Sequence, residues 1–305
     1  MSENASVKDY LMLHFIVAIW SITAILGILI SIASIELVFY RTLIASAMLG
    51  LIFLWKKTSI RVSKSELIKI IGTGFLISIH WILFFWAARV STASVCLAGM
   101  ATTSLWTAFL EPIINKKKIK GFEVFLGLLV ISGIYVIFRF EWGYWLGLSM
   151  AIGAALMGAL FSVINGRLTK RHSPYVLTFY EMFGACVFAF MMLPVYAFFF
   201  AENGLQLIPA PMDWLWLLIL SGICTVYAFS VSVELMRRIT AFAVNLTVNL
   251  EPVYGIMLAV LILGEREKMT GGFYLGTLII LISVLIYPIY NYILKRRMAK
   301  RMLGS

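Results

Sequence analysis

The chain has 305 residues, 62% of them hydrophobic and 13% charged, with a mean hydropathy of +0.98; soluble domains carry about 25% charged residues, so a soluble globular protein is excluded. The apolar runs leave only short loops and no soluble module, which turns the formal net charge of +11 away from nucleic acid and toward membrane topology. The composition is that of an all-α integral membrane protein.

In chain order the apolar runs are 11–31, 35–54, 67–88, 91–114, 121–139, 146–166, 175–200, 214–236, 240–263 and 272–293, and at about 20 residues per crossing they predict ten transmembrane helices. The polar start holds one lysine, Lys8, and no small-residue cleavage pattern follows the first run, so that run is expected to be retained as a span. With ten spans both termini share a face. The loops and span ends on that face carry twenty Lys or Arg residues, those on the other face four (Arg89, Arg139, Arg266 and Lys268), and Arg41 alone lies well inside a span. The bias predicts cytoplasmic termini in a bacterial-type inner membrane. The longest external loop, Ala201 to Asp213, carries Pro209 and Pro211 and is expected to be irregular.

Several side chains within these runs are candidates for chemistry. Trp20 lies in the first span, Tyr40 and Arg41 in the second, His80 and Trp81 in the third, Trp106 in the fourth, Glu181 in the seventh and Tyr227 in the eighth. The aromatics suit an apolar pocket, although packing is the blander role for any one of them. Arg41 and Glu181 lie near opposite ends of their spans, as a structural anchor or as partners in an ion pair or gate. His80 is either a proton relay or an interhelical hydrogen-bond donor.

The ninth span holds the costliest stretch, Asn245-Leu246-Thr247-Val248-Asn249-Leu250-Glu251-Pro252. A carboxylate near a bilayer centre costs about 2.5–3.5 kcal/mol on insertion scales. Pro252 lacks an N–H and crowds the Val248 carbonyl, predicting a kink whose freed acceptors face protein or a water-filled cavity. At 100° per residue Thr247, Glu251 and Tyr254 share one face, and Asn245, Asn249 and Pro252 another. Glu251 is thus a candidate proton acceptor or partner for a substrate ammonium, with a structural carboxyl as the alternative. The asparagines offer donors and acceptors to a zwitterion or to neighbouring helices.

Internal similarity divides the chain into two five-helix repeats, 1–141 and 142–305. Phe39-Tyr40-Arg41 recurs as Phe179-Tyr180-Glu181, and Arg89-Val90-Ser91-Thr92-Ala93 resembles Arg238-Ile239-Thr240-Ala241-Phe242. An odd number of spans per repeat places the second upside down relative to the first, a transporter signature. The first repeat has Thr103 where the second has Pro252 and Lys116 where it has Glu265, so a site built on the ninth span is expected to be asymmetric.

Together with the intramembrane Arg41, the segment Glu251-Pro252-Val253-Tyr254 ending in Leu263-Gly264-Glu265-Arg266 resembles the EamA-type branch of the drug/metabolite transporter superfamily. The resemblance covers nearly the whole chain. It implies a plasma-membrane carrier, commonly an exporter of amino acids, other metabolites or toxic amphiphiles, with a cavity between the repeats.

The expectation is a secondary transporter that exports amino acids by alternating access, with a multidrug or nucleoside-type efflux carrier second and a non-transporting receptor or scaffold as the rival class. Its expected partners are a small-molecule substrate and the lipid bilayer, with a monomeric state and no nucleic acid; a proton antiporter and an uncoupled facilitator fit the sequence equally. No phosphate-binding loop, catalytic triad or metal cluster is legible, and Cys96, Cys186 and Cys224 lack ligand spacing. No enzyme activity, cofactor or metal is therefore expected.

Overall fold

The computed structural model describes residues 5–283 except 117, 120, 202 and 203, together with 286, 289 and 290. Among the described residues nine helices are long and apolar enough to cross a membrane. They are Val7–Leu29 (α1, Val7–Trp20, and α2, Thr23–Leu29), α3 (Ser34–Trp55), α4 (Lys64–Val90), Ala93–Asn115 (α5, Ala93–Met100, and α6, Thr103–Asn115), α7 (Gly121–Phe140), and Trp142–Leu168, which is mostly α8 (Trp145–Leu168). After them come α9 (Pro174–Phe199), Pro211–Leu235 (α10, Pro211–Ser221, and α11, Ala228–Leu235) and Ala241–Leu263 (α12, Ala241–Val248, and α13, Glu251–Leu263). A shorter apolar helix, α14 (Gly271–Ser283), occupies the start of the expected tenth span. The remainder of that span, and the basic cluster from Lys295 to Arg301, lie largely or wholly outside the described residues.

The external loop ends earlier than expected. Pro211 starts α10 at a position where its missing N–H costs nothing, and Asp213 accepts from the Ala210 N–H at 3.2 Å. Asp213 also accepts from the Ser31 N–H and hydroxyl. Glu36 accepts from the Ala33 and Gln206 N–H groups, and the Tyr40 hydroxyl donates to the Leu207 carbonyl. On the face opposite the basic loops, these bonds tie the ends of the first and second spans to the loop before α10 and to its first turn.

Contacts recur with the two halves exchanged. Arg89 donates to the Gly27 and Ile30 carbonyls at the end of the first span, and Arg237 donates to the Thr169 and His172 carbonyls just after α8. Tyr40 bonds a loop of the second half, while Tyr180 donates to Ile60 in a loop of the first. The α5 N-terminus is capped by Glu267, which follows α13, and the Phe242 N–H at the α12 N-terminus by Glu111, which ends α6. These cations at carbonyl ends and carboxylates at N–H ends satisfy groups that lipid cannot.

Helices α7 and α14 run antiparallel with their backbones touching. A Cβ on Gly133 would stand 2.6 Å from the Gly276 carbonyl oxygen, and one on Gly276 would stand 2.5 Å from that of Gly133. Small residues permit such an approach, which holds helices together in lipid by close packing. Gly133→Leu is expected to destabilise the protein by about 1–3 kcal/mol, read as a lower unfolding temperature in detergent; an unchanged temperature would show that this crossing contributes nothing.

Candidate functional site

Between the halves lies a cavity of about 90 Å³. The first half lines it with Trp20, Thr23, Arg41, His80, Trp81, Phe84, Met100 and Thr103, and the second with residues including Phe161, Ser162, Phe229, Met236, Asn245, Val248 and Glu251. Met236 also lines a vestibule of about 870 Å³ on the basic-loop face, which Lys69, Lys116, Arg167, Lys170, Arg171 and Arg237 surround. Met236 thus borders both spaces, while the bonds described above cross the opposite face.

Arg41 is buried, and its guanidinium carbon sits 3.6 Å from the Trp81 ring centroid, a cation–π contact. Its Nε donates to the Thr225 hydroxyl at 2.8 Å. Thr225 belongs to a π-helical segment, Gly222–Tyr227, that joins α10 to α11, and its hydroxyl donates five residues back to the Leu220 carbonyl. The widened turn also frees the Cys224 carbonyl to accept from the Trp20 indole at 2.9 Å. Such bulges occur frequently at functional sites; no residue pattern in this stretch signals one.

Glu251 is buried, lines the cavity and interacts electrostatically with Arg41. The ninth span breaks before it, because Asn249 and Leu250 form a turn. The Asn249 N–H is shared between the Asn245 and Leu246 carbonyls, and bonds from Leu250 N to Thr247 O and Val253 N to Leu250 O reach three residues back, so the chain is locally overwound, toward about 120° per step, at this turn. Over the six residues from Asn245 to Glu251 this overwinding brings both side chains toward one side. The separation into two polar faces is therefore corrected: Asn245, Val248 and Glu251 all line the cavity. Pro252 lies in the first turn of α13, where proline is well tolerated.

The fourth span breaks at the corresponding place, at Ala101 and Thr102, without a proline. There the hydroxyls of Thr102, Thr103, Ser104 and Thr107 donate back to carbonyls three or four residues earlier, supplying locally what the interrupted backbone loses. The expected asymmetry of the ninth span is thus one of side chains, while the backbone break is common to both halves.

The other expected site residues divide by what holds them. Asn245 donates to Thr107 and accepts from Ser162, tying three helices at the cavity wall. Asn249 donates to Ser104 at 2.7 Å, its Oδ1 remaining without a partner, and the Thr247 hydroxyl donates to Ala243; neither residue lines the cavity. Tyr254 and Tyr227 are exposed on the outer surface. Tyr40 edges against Trp214 beside the loop that its hydroxyl holds, and Trp106 packs against the main core.

His80 sits on the wall, with Nδ1 2.7 Å from the Ala154 carbonyl and its ring edge-on to Phe161. A carbonyl only accepts, which assigns the proton to Nδ1 and gives His80 an interhelical tie. Glu181 is fully buried beside Asn165, whereas Arg41 bonds Thr225. Arg41 therefore pairs with neither Glu181 nor Glu36, whose carboxylate is taken by backbone N–H groups; the expected ion pair is absent among the described contacts.

Residues 8–139 and again 145–287 match the EamA-like transporter family. The chain belongs to that family. This makes it a multi-pass membrane protein of the drug/metabolite transporter superfamily, and the family match points to transport rather than enzymatic chemistry. The fold is also similar to a chain of known crystal structure, described only as a protein, at a TM-score of 0.66 and 16% identity over 92% of this chain and 96% of that one. No curated protein matches the sequence. The two family segments fall on the two halves whose contacts exchange, and the cavity draws its walls from both.

Two residues of structural weight were missed in the sequence. Glu267 is completely buried and accepts from the Ala93 and Ser94 N–H groups and the Ser94 hydroxyl, at 2.8 to 3.0 Å. Glu265, the acid of the Leu-Gly-Glu-Arg segment, is exposed and bridges only Lys268. Two acids two residues apart beyond a helix end carry no sequence signal that says which one turns inward. Glu111, to which no role was assigned, caps α12 at 2.8 Å.

Proposed function

We propose that this protein is a secondary transporter that exports small zwitterionic metabolites, amino acids first among them, by rocking its two repeats about the central cavity. The supporting observation is the pairing within one cavity of Arg41 from the first repeat and Glu251 from the second, with Trp20, Trp81, Phe84, Phe161 and Phe229 on the walls. A zwitterion presents a carboxylate to the guanidinium and an ammonium to Glu251, replacing the attraction of the two side chains for each other with charge-assisted hydrogen bonds. The small volume favours such solutes over drug-sized ones, whose sites run to about 300–1,000 Å³.

The excess of Lys and Arg in the basic loops supports a cytoplasmic position for their face, in a bacterial-type inner membrane. The vestibule then opens inward, and Met236 separates cytoplasmic solute from the cavity. Closure of the vestibule and release of the ties at Asp213, Glu36 and Tyr40 would open the other side.

Counterflow in liposomes containing the purified protein tests this reading. Internal amino acid is expected to drive accumulation of the same labelled amino acid. Absence of counterflow for every amino acid, or transport of planar cationic dyes in their place, would overturn it; a scaffold would give neither. Met236→Trp, which fills the constriction, is expected to lower the rate by about tenfold while leaving the unfolding temperature within a few degrees, and an unaltered rate would place the route elsewhere.

A further inference from the structure

A second polar site lies outside the cavity. Glu181 on α9 and Asn165 on α8 are both completely buried. Asn165 is the polar side chain within reach of the carboxyl, yet neither carboxyl oxygen and neither amide atom completes a hydrogen bond in the structure. Buried polar atoms are nearly always satisfied, and a group of them left open marks a place for water or an ion.

No cation acts on Glu181 among the described residues. On α3, Glu36 is held by backbone N–H groups, Tyr40 by Leu207 and Arg41 by Thr225 and Trp81. On α4, Glu66 bridges Lys69 and His172, His80 bonds Ala154 and Arg89 bonds the Gly27 and Ile30 carbonyls. On α11, Glu234 interacts with Tyr175 of α9, and on α8 Arg167 donates to Ile114. Along α9 itself Tyr180 bonds Ile60, Cys186 interacts with Thr42, and Tyr196 interacts with Glu36 and Arg89. A bare carboxylate in such surroundings is costly, and a bound proton removes its charge.

The route to water is short. Thr73 and Leu76 of α4, and Ile164 and Gly166 of α8, line the vestibule. Between them in sequence, a Cβ on Gly74 would stand 2.3 Å from the Glu181 carbonyl oxygen, and Asn165 faces the carboxyl. Glu181 thus packs, through its backbone and through Asn165, against the segments of α4 and α8 that line the vestibule.

We infer that Glu181, with Asn165, is a proton-binding site loaded from the basic-face vestibule and distinct from the substrate cavity, and that its protonation couples transport to the proton gradient. The inference rests on the transport reading above for its coupling half. In the binding step an O–H bond forms on Glu181 as one breaks in a vestibule hydronium, leaving water. Release is the reverse step, once movement of α4 against α9 admits water. Arg41 and Glu181 occupy matching places after Phe39-Tyr40 and Phe179-Tyr180. One thus serves the cavity and the other the proton.

Infrared difference spectra of the full-length purified protein between acidic and alkaline buffer read the C=O stretch of protonated carboxylic acids directly. A titrating band is expected in the wild type, lost in Glu181→Gln and retained in Glu251→Gln; Glu181→Asp would displace its midpoint, giving the same assignment if the glutamine variant does not accumulate. Counterflow by Glu181→Gln is expected to persist with its pH dependence lost. A band that survives Glu181→Gln unchanged, a pH dependence that survives it, or dependence on a sodium gradient in place of protons would overturn the proposal. Failure of wild-type counterflow with the band intact would reject the transport reading alone.

Discussion

Glu267→Ala is expected to lower stability by about 3 kcal/mol or more, because it strands three buried donors, the Ala93 and Ser94 N–H groups and the Ser94 hydroxyl, at the start of α5. A carboxylate facing two N–H groups at a helix N-terminus also offsets the positive end of the helix dipole, which alanine leaves bare. No other residue of the structure can replace it, since the site is completely buried. Glu265→Ala, two residues away, removes only an exposed bridge to Lys268 and is expected to change nothing measurable. Tryptophan fluorescence during thermal unfolding in detergent compares the two; equal unfolding temperatures would mean that the cap holds nothing.

Glu251→Gln is expected to weaken transport of ammonium-bearing solutes by about 10- to 100-fold, the equivalent of a lost charge-assisted hydrogen bond. Glutamine keeps the volume and hydrogen-bonding reach of the side chain, so packing around α13 is preserved and the change is one of charge. Arg41 is then left as an unbalanced cation in the cavity, which favours solutes with a carboxylate and no ammonium. Initial rates over a range of substrate concentrations measure this; a variant with wild-type rates for amino acids would remove Glu251 from the substrate path. Asn249→Ala, whose amide is committed to Ser104 outside the cavity, is expected to alter stability more than flux.

Hydropathy was sufficient to place the described spans within a few residues, because lipid exposure leaves little freedom in the composition or length of a helix. The break in the ninth span was legible from Pro252. That in the fourth was not, since Thr102, Thr103 and Ser104 interrupt α5 and α6 through hydroxyl-to-carbonyl bonds, and the same residues occur in unbroken helices. Helical-wheel arithmetic misassigned the faces of the ninth span because it assumes a constant 100° step, which the turn at Asn249 and Leu250 violates. Of the expected site residues, Trp20, Arg41, His80, Trp81, Asn245 and Glu251 meet at the cavity. Tyr40, Trp106 and Tyr227 do not, because an aromatic ring in an apolar run serves core, surface and cavity equally well and only the rotation of its helix decides among them. The π-helical segment that presents Thr225 to Arg41 arises from tertiary demand and leaves no periodicity to detect.

The central claim is that Arg41 and Glu251 receive the two charges of one substrate. Competition against counterflow of the best-transported amino acid tests it most directly, with three probes: the amino acid itself, its deaminated acid and its decarboxylated amine. The wild type is expected to prefer the zwitterion, Glu251→Gln to lose its preference for the zwitterion over the deaminated acid, and Arg41→Gln to lose its preference over the amine. Equal weakening of all three probes by both variants would contradict the claim and return the two charges to a purely structural role.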